Sequence, residues 1–464
     1  GAREGGVIAN MAAMFNPAVW AGAATVGGSK VPEDYRKAAA DDYCTNLDGF
    51  VDESHRLNLK KSDIPMPAWV IDDPESPVGT DNGTADYWKY SCGITEDGVQ
   101  TAPDTVTYVR TTEPPYAPNQ EREAFRVCTS TISGGSADYA NLLLRRIWKD
   151  FLYRQRRWMS GPGGDLRVTK DPVADLGMEY HYEEIGGWMR EWYVYVPEQV
   201  KQNPGKPVPL VFAMHGYTCS AEIYCGNSEW YKVADKYGFI LVHPTATPGT
   251  MDATTVASSP DNVALPAWNF MRKAPNGPDE LVFFRTLLDR VCAEHTIDRT
   301  RIYATGHSHG SIMTQVLAMS MPEVFAATAP CSGVIFKGFG MDIRETPEFR
   351  NRKDCPIPVW MFGGEQEPWL LDSVPATDNA TGDSIRIWRG NNHLTPEIPE
   401  SWEDGWTVTG RWHDLHYTNA DGAPMVNYTW VDYMPHATMT EMSFRIWEEF
   451  FSKFSRADGE IRYD

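Results

Sequence analysis

The sequence predicts an α/β protein: a mostly parallel central sheet flanked by helices, preceded by a partial duplicate of the same fold. Three observations carry that expectation. Short apolar runs alternate with amphipathic helical runs from 208 to 454, the pattern of a sheet wrapped by crossover helices. A glycine-flanked serine stands where one such run ends and a helix begins, in IYATGHSHGSIMTQVLAM from Ile302 to Met319. The opening residues of the chain repeat that glycine pair and the apolar helical run after it.

The repeat lies at a constant offset of 305 residues. Gly1, Gly5, Met14, Pro17, Val19, Ala21 and Gly28 fall on Gly306, Gly310, Met319, Pro322, Val324, Ala326 and Gly333 without a gap. Further on, PAWVIDDPESP matches PVWMFGGEQEP, DNGTAD matches DNATGD, and RIWKDF matches RIWEEF. Residues 1–158 are therefore expected to be the C-terminal half of the fold that ends the chain. They carry Arg3 where the complete copy has Ser308, Ser76 where it has Glu367, and Ala137 where it has His436. No nucleophile, acid and base meet in that alignment, so a non-catalytic half-domain is expected. A half-sheet leaves an edge strand bare, and a separate chain supplying the first half, a homo-oligomer, or origin as part of a longer tandem protein would each answer that.

Residues 159–177 are rich in Gly, Pro and Asp without periodicity and read as linker. The domain 178–464 opens with MEYHYEEIGGWMREWYVYVP, two alternating runs about a Gly-Gly turn, which predicts a hairpin. PLVFAMHGYT is a continuous apolar run, as a buried parallel strand requires. Glu229 to Tyr237 reads as helix, GFILVHPTA as strand, and Asp279 to His295 as a helix with acid in its first turn. PIPVWMFGG is another buried strand, and Glu441 to Phe454 an amphipathic closing helix.

Composition sets the outer limits. With 63 acidic and 42 basic residues the formal charge is −21, which argues against binding a phosphate backbone. No apolar run reaches the 18 residues a membrane helix needs. Eight cysteines show no metal-ligand spacing, and Cys219 and Cys225 are near enough in sequence to bridge. Three N-x-T sequons, at Asn82, Asn379 and Asn427, point to a secreted or cell-envelope protein.

The chemistry centres on Ser308. A strand-to-helix corner strains the serine backbone and leaves no room for a Cβ on the flanking glycines, so Gly306 and Gly310 are expected to be sterically required. A serine hydroxyl needs a base, and the base an orienting carboxylate. Glu367, directly after the strand PIPVWMF, is the expected acid, with Glu365 and Asp372 as rivals in the same loop; His436, before the last helix, is the expected base. The amides of Tyr217 and His309 are the expected oxyanion donors, the latter at a helix N-terminus. Trp268, Trp369 and His215 are expected to line the substrate site. Trp388, Trp402, Trp406, Trp412 and Trp430 add an aromatic excursion that could either form a platform or pack a hairpin. No metal site is expected; His307 and His309 alternate around the turn, and His413 and His416 read as surface residues.

The run from PLVFAMHGYT through the GHSHG motif to PVWMFGGEQEP resembles the polyhydroxybutyrate-depolymerase-type esterases, feruloyl and acetyl-xylan esterases among them, of the α/β-hydrolase superfamily. The resemblance covers about 178 to 455. It implies a serine carboxylic-ester hydrolase working through an acyl-enzyme without cofactor or metal, on feruloyl, acetyl-sugar or hydroxyalkanoate esters, with Ser308, His436 and Glu367 at the family's catalytic positions. The chain departs from the family in having Glu rather than Asp as acid, His309-Gly310-Ser311 after the serine, and Gly363 where a histidine is usual. A serine peptidase of the same fold and a non-catalytic binding protein are the competing readings.

Overall fold

The computed structural model describes residues 1–464 except 29, 45–59, 77, 79–80, 112–124, 133–141, 159–164, 250–264, 271–276, 334–353, 368–374, 376–378 and 395–404. The chain divides into two compact units, Gly1–Lys170 and Asp171–Asp464.

The second unit is built on a ten-stranded sheet. It opens with the hairpin β8 (Glu179–Ile185) and β9 (Trp188–Tyr195), turned by Gly186 and Gly187 at φ 63° and 84°. Two successive positive φ values define the tight turn whose twist matches the strands, and glycine takes them without strain. The parallel core follows: β10 (Val208–Met214), β11 (Ile240–Thr245), β14 (Ile297–His307), β15 (Ala327–Cys331), β16 (Val359–Gln366) and β19 (Pro424–Pro435), edged by β17 (Thr407–Thr409) and β18 (Trp412–Thr418); β12 and β13 are a short pair at Pro248–Gly249 and Leu265–Pro266. The spatial order is β8-β9-β11-β10-β14-β15-β16-β19-β18-β17. Counting only the first eight of these along the chain gives 1-2-4-3-5-6-7-8 with the second strand antiparallel, which is the α/β-hydrolase order. Leu210, Val211, Phe212, Ala213 and Met214 are all buried, because helices cover both faces and the strand has no solvent side. The helix Glu280–Glu294 starts where expected. Asp279 Oδ1 accepts from the amides of Leu281 and Val282 at 2.9 and 3.2 Å, satisfying two of the four amides a helix start leaves open.

The first unit holds a five-stranded sheet of β1 (Ala23–Val26), β2 (Ala68–Asp72), β3 (Val99–Ala102), β4 (Thr105–Val109) and β5 (Arg126–Thr131), in the order β1-β2-β5-β4-β3. β1, β2 and β5 are parallel, β4 and β3 antiparallel. β15, β16, β19, β18 and β17 have the same order and directions. Each set is followed by a π-helical stretch, Leu142–Leu152 or Ile446–Phe450, and then a hairpin: β6 (Gln155–Trp158) with β7 (Asp165–Val168), or β20 (Phe454–Ala457) with β21 (Glu460–Tyr463).

The packing repeats as well. Trp69 donates to Ser130 Oγ at 2.9 Å and Trp360 to Thr429 Oγ1 at 2.7 Å. The Arg146 guanidinium lies 5.3 Å over Trp69 and Arg445 5.4 Å over Trp360, paired with Asp104 and Asp414. Between helices, Trp88 donates to Asn10 at 2.9 Å and Trp388 to Gln315 at 3.0 Å. The helix bearing Trp88, Gly83–Ser91, has 9 residues, and that bearing Trp388, Ala380–Asn391, has 12. That three-residue excess carries the offset from 297 at the matched Asn82 and Asn379 to 300 at the tryptophans.

Some expectations fail here. Residues 159–177 are not simply a linker: Asp165–Val168 pairs with Gln155–Trp158, and the unit boundary falls after Lys170. Polar composition hid a strand whose Leu166 is buried. Cys219 donates to Ser220 O and Cys225 is buried on the helix Ala221–Ser228, and no disulfide joins cysteines among the described residues. The sequon at Asn427 is 1% exposed, its Nδ2 donating to Pro424 O, so it cannot accept a glycan in the folded chain. No helix among the described residues is long and apolar enough to cross a membrane.

Candidate active site

Ser308 sits between β14 and the helix His309–Ser320, at φ 56° and ψ −115°. An L-residue adopts that conformation only where its surroundings impose it. The constraint is visible in the flanking glycines. A Cβ on Gly306 would lie 2.4 Å from Gly310 O, and one on Gly310 would lie 2.3 Å from Met214 O. The Ser308 amide donates to Cys331 O at 2.9 Å, tying the corner to the end of β15. Ser311 Oγ and Gln315 Nε2 both donate to Gly333 O, at 2.8 and 3.3 Å.

The acid and base arrive from β16 and β19. These strands pair in parallel, with a register shift between Gly364 and Gln366 that sets Gln366 opposite Pro435. A Cβ on Gly364 would lie 2.1 Å from Met434 O, so glycine permits this close approach. Glu367 Oε2 then meets His436 Nδ1 at 2.5 Å, with the Glu367 side chain 2% exposed and that of His436 30%. A carboxylate on Nδ1 fixes the tautomer, leaving Nε2 as proton acceptor. His436 also lies beside the nucleophile strand: its ring is 4.6 Å from that of His307, while Ser332 Oγ donates to Ala437 O at 3.4 Å.

Of the rival acids, Glu365 accepts the Tyr433 amide at 2.8 Å and so braces the strand end carrying His436, where Tyr433 itself has φ 59°. Asp372 and Trp369 lie outside the described residues. The Tyr217 ring is 5.8 Å from that of His309, so the two residues expected to donate to an oxyanion are neighbours.

Two expected substrate contacts are corrected. Trp268 is fully buried: its Nε1–H donates to His215 O at 2.9 Å and its amide to His309 Nδ1 at 3.0 Å. His215 is equally buried, its Nε2 accepting the Ala246 amide at 2.9 Å. Burial pushes the His215 pKa down to about 4, and a neutral ring wedged between backbones shapes the loop after β10 rather than touching a ligand. Trp388 is likewise inside the core. Trp402 lies outside the described residues, and Trp406, Trp412 and Trp430 are partly buried.

Sequence reading missed Ser332 and Glu365 as braces, and His307 as the ring against His436. The only local signal for the first was the TAPCSG run after the helix.

Arg3 in the first unit has φ 50° and ψ −127°, and its amide donates to Val26 O at 2.8 Å, the geometry of Ser308 and Cys331. Ser76 Oγ donates to Gly27 O, and Ala137 lies outside the described residues. A hollow of about 540 Å³ in this unit is lined by Asp72, Asp81, Asp86, Asp104, Lys89 and Tyr108 among others.

Residues 193–350 match the model of the family described as Esterase PHB depolymerase. Feruloyl esterase B of Talaromyces stipitatus is 34% identical over 148 residues, 32% of this chain and 36% of that protein. Poly(3-hydroxyalkanoate) depolymerase C of Paucimonas lemoignei is 26% identical over 271 residues, 53% of this chain and 58% of that protein. Acetylxylan esterase A of Aspergillus ficuum is 30% identical over 144 residues, 31% and 42% respectively. The chain thus spans about a third of the length of the first of these relatives.

Proposed function

We propose that this chain, whose second unit belongs with the PHB depolymerase-type esterases, is a serine carboxylic-ester hydrolase that works through an acyl-enzyme. The observation that carries the reading is the Glu367–His436 contact of 2.5 Å beside the strained corner at Ser308. Ser308 Oγ attacks the ester carbonyl while His436 Nε2 takes its proton. Glu367, shielded from solvent, orients the ring and stabilises the imidazolium. The tetrahedral oxyanion is held by the amides of Tyr217 and His309, the latter reinforced by the positive helix end. His436 returns the proton to the leaving alcohol, and water then repeats the sequence in reverse roles. No metal or cofactor enters this scheme.

Feruloyl, acetyl-sugar and 3-hydroxyalkanoate esters are the proposed substrate classes, supported by the relatives' names. Partly buried Trp406, Trp412 and Trp430 lie on or beside the strands next to the base. A secreted or cell-envelope location is proposed on the sequons at Asn82 and Asn379. The first unit is proposed to be a catalytically dead half-copy, supported by its shared strand order and repeated Trp, Arg and Asn/Gln contacts. A separate chain or a second copy completing its sheet is part of that proposal. The test is a panel of those three ester classes with an amide counterpart: the wild type is expected to hydrolyse at least one ester, and Ser308→Ala to lose at least about 10⁴-fold in kcat. Preference for the amide would favour a serine peptidase, and an inert wild type a binding protein.

A further inference from the structure

At the end of the second unit opposite its nucleophile, the first strand of the sheet meets the last turn of a helix. Glu179 and His181 stand two residues apart on β8, so their side chains leave the same face of an edge strand. Glu294 ends the helix Glu280–Glu294, and His295 is its C-cap. Ligating atoms of Glu179, His181 and Glu294 all lie within 4.8 Å of one another. Glu179 Oε2 is also 3.3 Å from His295 Nε2 and 3.9 Å from His181 Nε2. Two carboxylates and the His181 imidazole thus face one point, with the His295 ring against one of those carboxylates.

Their arrangement is poor as a set of ordinary side-chain contacts. Both Nε2 atoms are shielded from solvent, yet neither closes a hydrogen bond among the described residues. The Glu294 carboxylate sits at a helix C-terminus, where the backbone dipole already places negative charge, and no basic residue occupies that last turn. Glu179 adds a second carboxylate within reach. The His181 ring is held flat against Trp192, 5.0 Å away and 3° from parallel, so its Nε2 is aimed without further loss of rotamer freedom.

We propose that Glu179, His181 and Glu294, with His295 bracing Glu179, form a divalent transition-metal site that clamps the edge strand β8 to the helix Glu280–Glu294. An imidazole nitrogen with two carboxylate oxygens suits zinc, cobalt or nickel, whereas calcium and magnesium take all-oxygen shells. Three protein ligands leave the fourth tetrahedral position to a water molecule. Its position at the N-terminal ends of the parallel strands keeps it away from Ser308, so its effect is on stability and not on chemistry. This inference does not depend on the esterase reading.

The experiment is thermal unfolding of the full chain, stripped with EDTA and titrated with zinc chloride, beside the visible spectrum with cobalt(II). The wild type is expected to gain on the order of 5 °C at saturating zinc, and to show the absorption bands of tetrahedral cobalt. His181→Gln and His295→Gln, together, should remove both while leaving the metal-free melting temperature within about 2 °C. Two results would overturn the proposal: no zinc-dependent shift in the wild type, or an undiminished shift and cobalt spectrum in the double variant. If the double variant does not fold, Glu294→Gln, an exposed side chain, takes its place with the same two readouts, and unchanged affinity there is equally contrary.

Discussion

Arg3 and Ser308 occupy the same strained corner, each with φ near 50° and its amide bonded to the end of the adjacent strand. What surrounds them differs. At Ser308 the corner is clamped by β10, whose carbonyls leave no space for a side chain on Gly310; at the first copy's equivalent, a Cβ on Gly5 would meet nothing within 4 Å among the described residues. The steric requirement expected of Gly306 and Gly310 holds, and it does not extend to Gly5. The constraint at Gly310 comes from β10, which has no counterpart among the described residues of the first unit. The corner itself is therefore a folding feature, while the proposed catalysis requires the half of the sheet, and the Glu367–His436 pair, that among the described residues only the second unit brings together.

The largest effect that sharpens this contrast is at the acid. Glu367→Gln should lower ester kcat by about 10²–10⁴-fold with little change in KM, because the ring loses its oriented tautomer and the charge that stabilises the imidazolium. Ser76→Glu, placing the same acid in the first unit, should change nothing. Equal losses from the two substitutions, or an unaffected Glu367→Gln, would contradict the assignment.

Next come the paired glycines. Gly310→Ala drives a methyl to 2.3 Å from Met214 O, so backbone must move, and a loss of about 3 kcal/mol together with most of the activity is expected. Gly5→Ala, in the first turn of the helix Glu4–Phe15 with open space around it, should stabilise by roughly 0.5–1 kcal/mol. Chemical denaturation of both variants measures this, and a destabilised Gly5→Ala would show that the first copy's corner is as constrained as the second's.

A smaller difference lies in acid sensitivity. Burial lowers the pKa of His215 to about 4 and of His243 to about 3, against about 6.5 in an unfolded chain. The unfolded state thus binds more protons between those values, so their contribution is intact above pH 6.5 and is lost as pH falls toward 4. Between pH 7.5 and 5.5 each costs the second unit roughly 1 kcal/mol. The first unit has one histidine, His55, outside the described residues. Calorimetry at the two pH values should show the transition of the second unit moving down more; an equal shift in both would be contrary.

Much of the site was legible because its signals are local. Glycines two residues either side of a serine, a Gly-Gly turn between alternating strands, and an acid directly after an apolar run each report backbone geometry within a few residues. The choice between Glu365 and Glu367 was not legible: both stand in one loop, and only the register of β16 against β19 gives one to the Tyr433 amide and the other to His436. Trp268 and His215 were misread because aromatic identity near a strand end does not disclose burial, which is set by the loop packing over them. The strand Asp165–Val168 was hidden because its short run mixes charged and apolar residues, and its pairing partner alone makes it a strand. In each unit, the repeated Trp–Asn and Trp–Gln bonds connect helices far apart in sequence, beyond any local pattern.

The most direct test of the central claim, that one nucleophile in this chain is activated and lies in the second copy, is labelling with a fluorophosphonate followed by peptide mass mapping. One adduct per chain is expected, on the peptide containing Ser308, absent in Ser308→Ala and slowed in Glu367→Gln. An adduct within residues 1–170, or an active chain whose Ser308 remains unlabelled, would contradict the account.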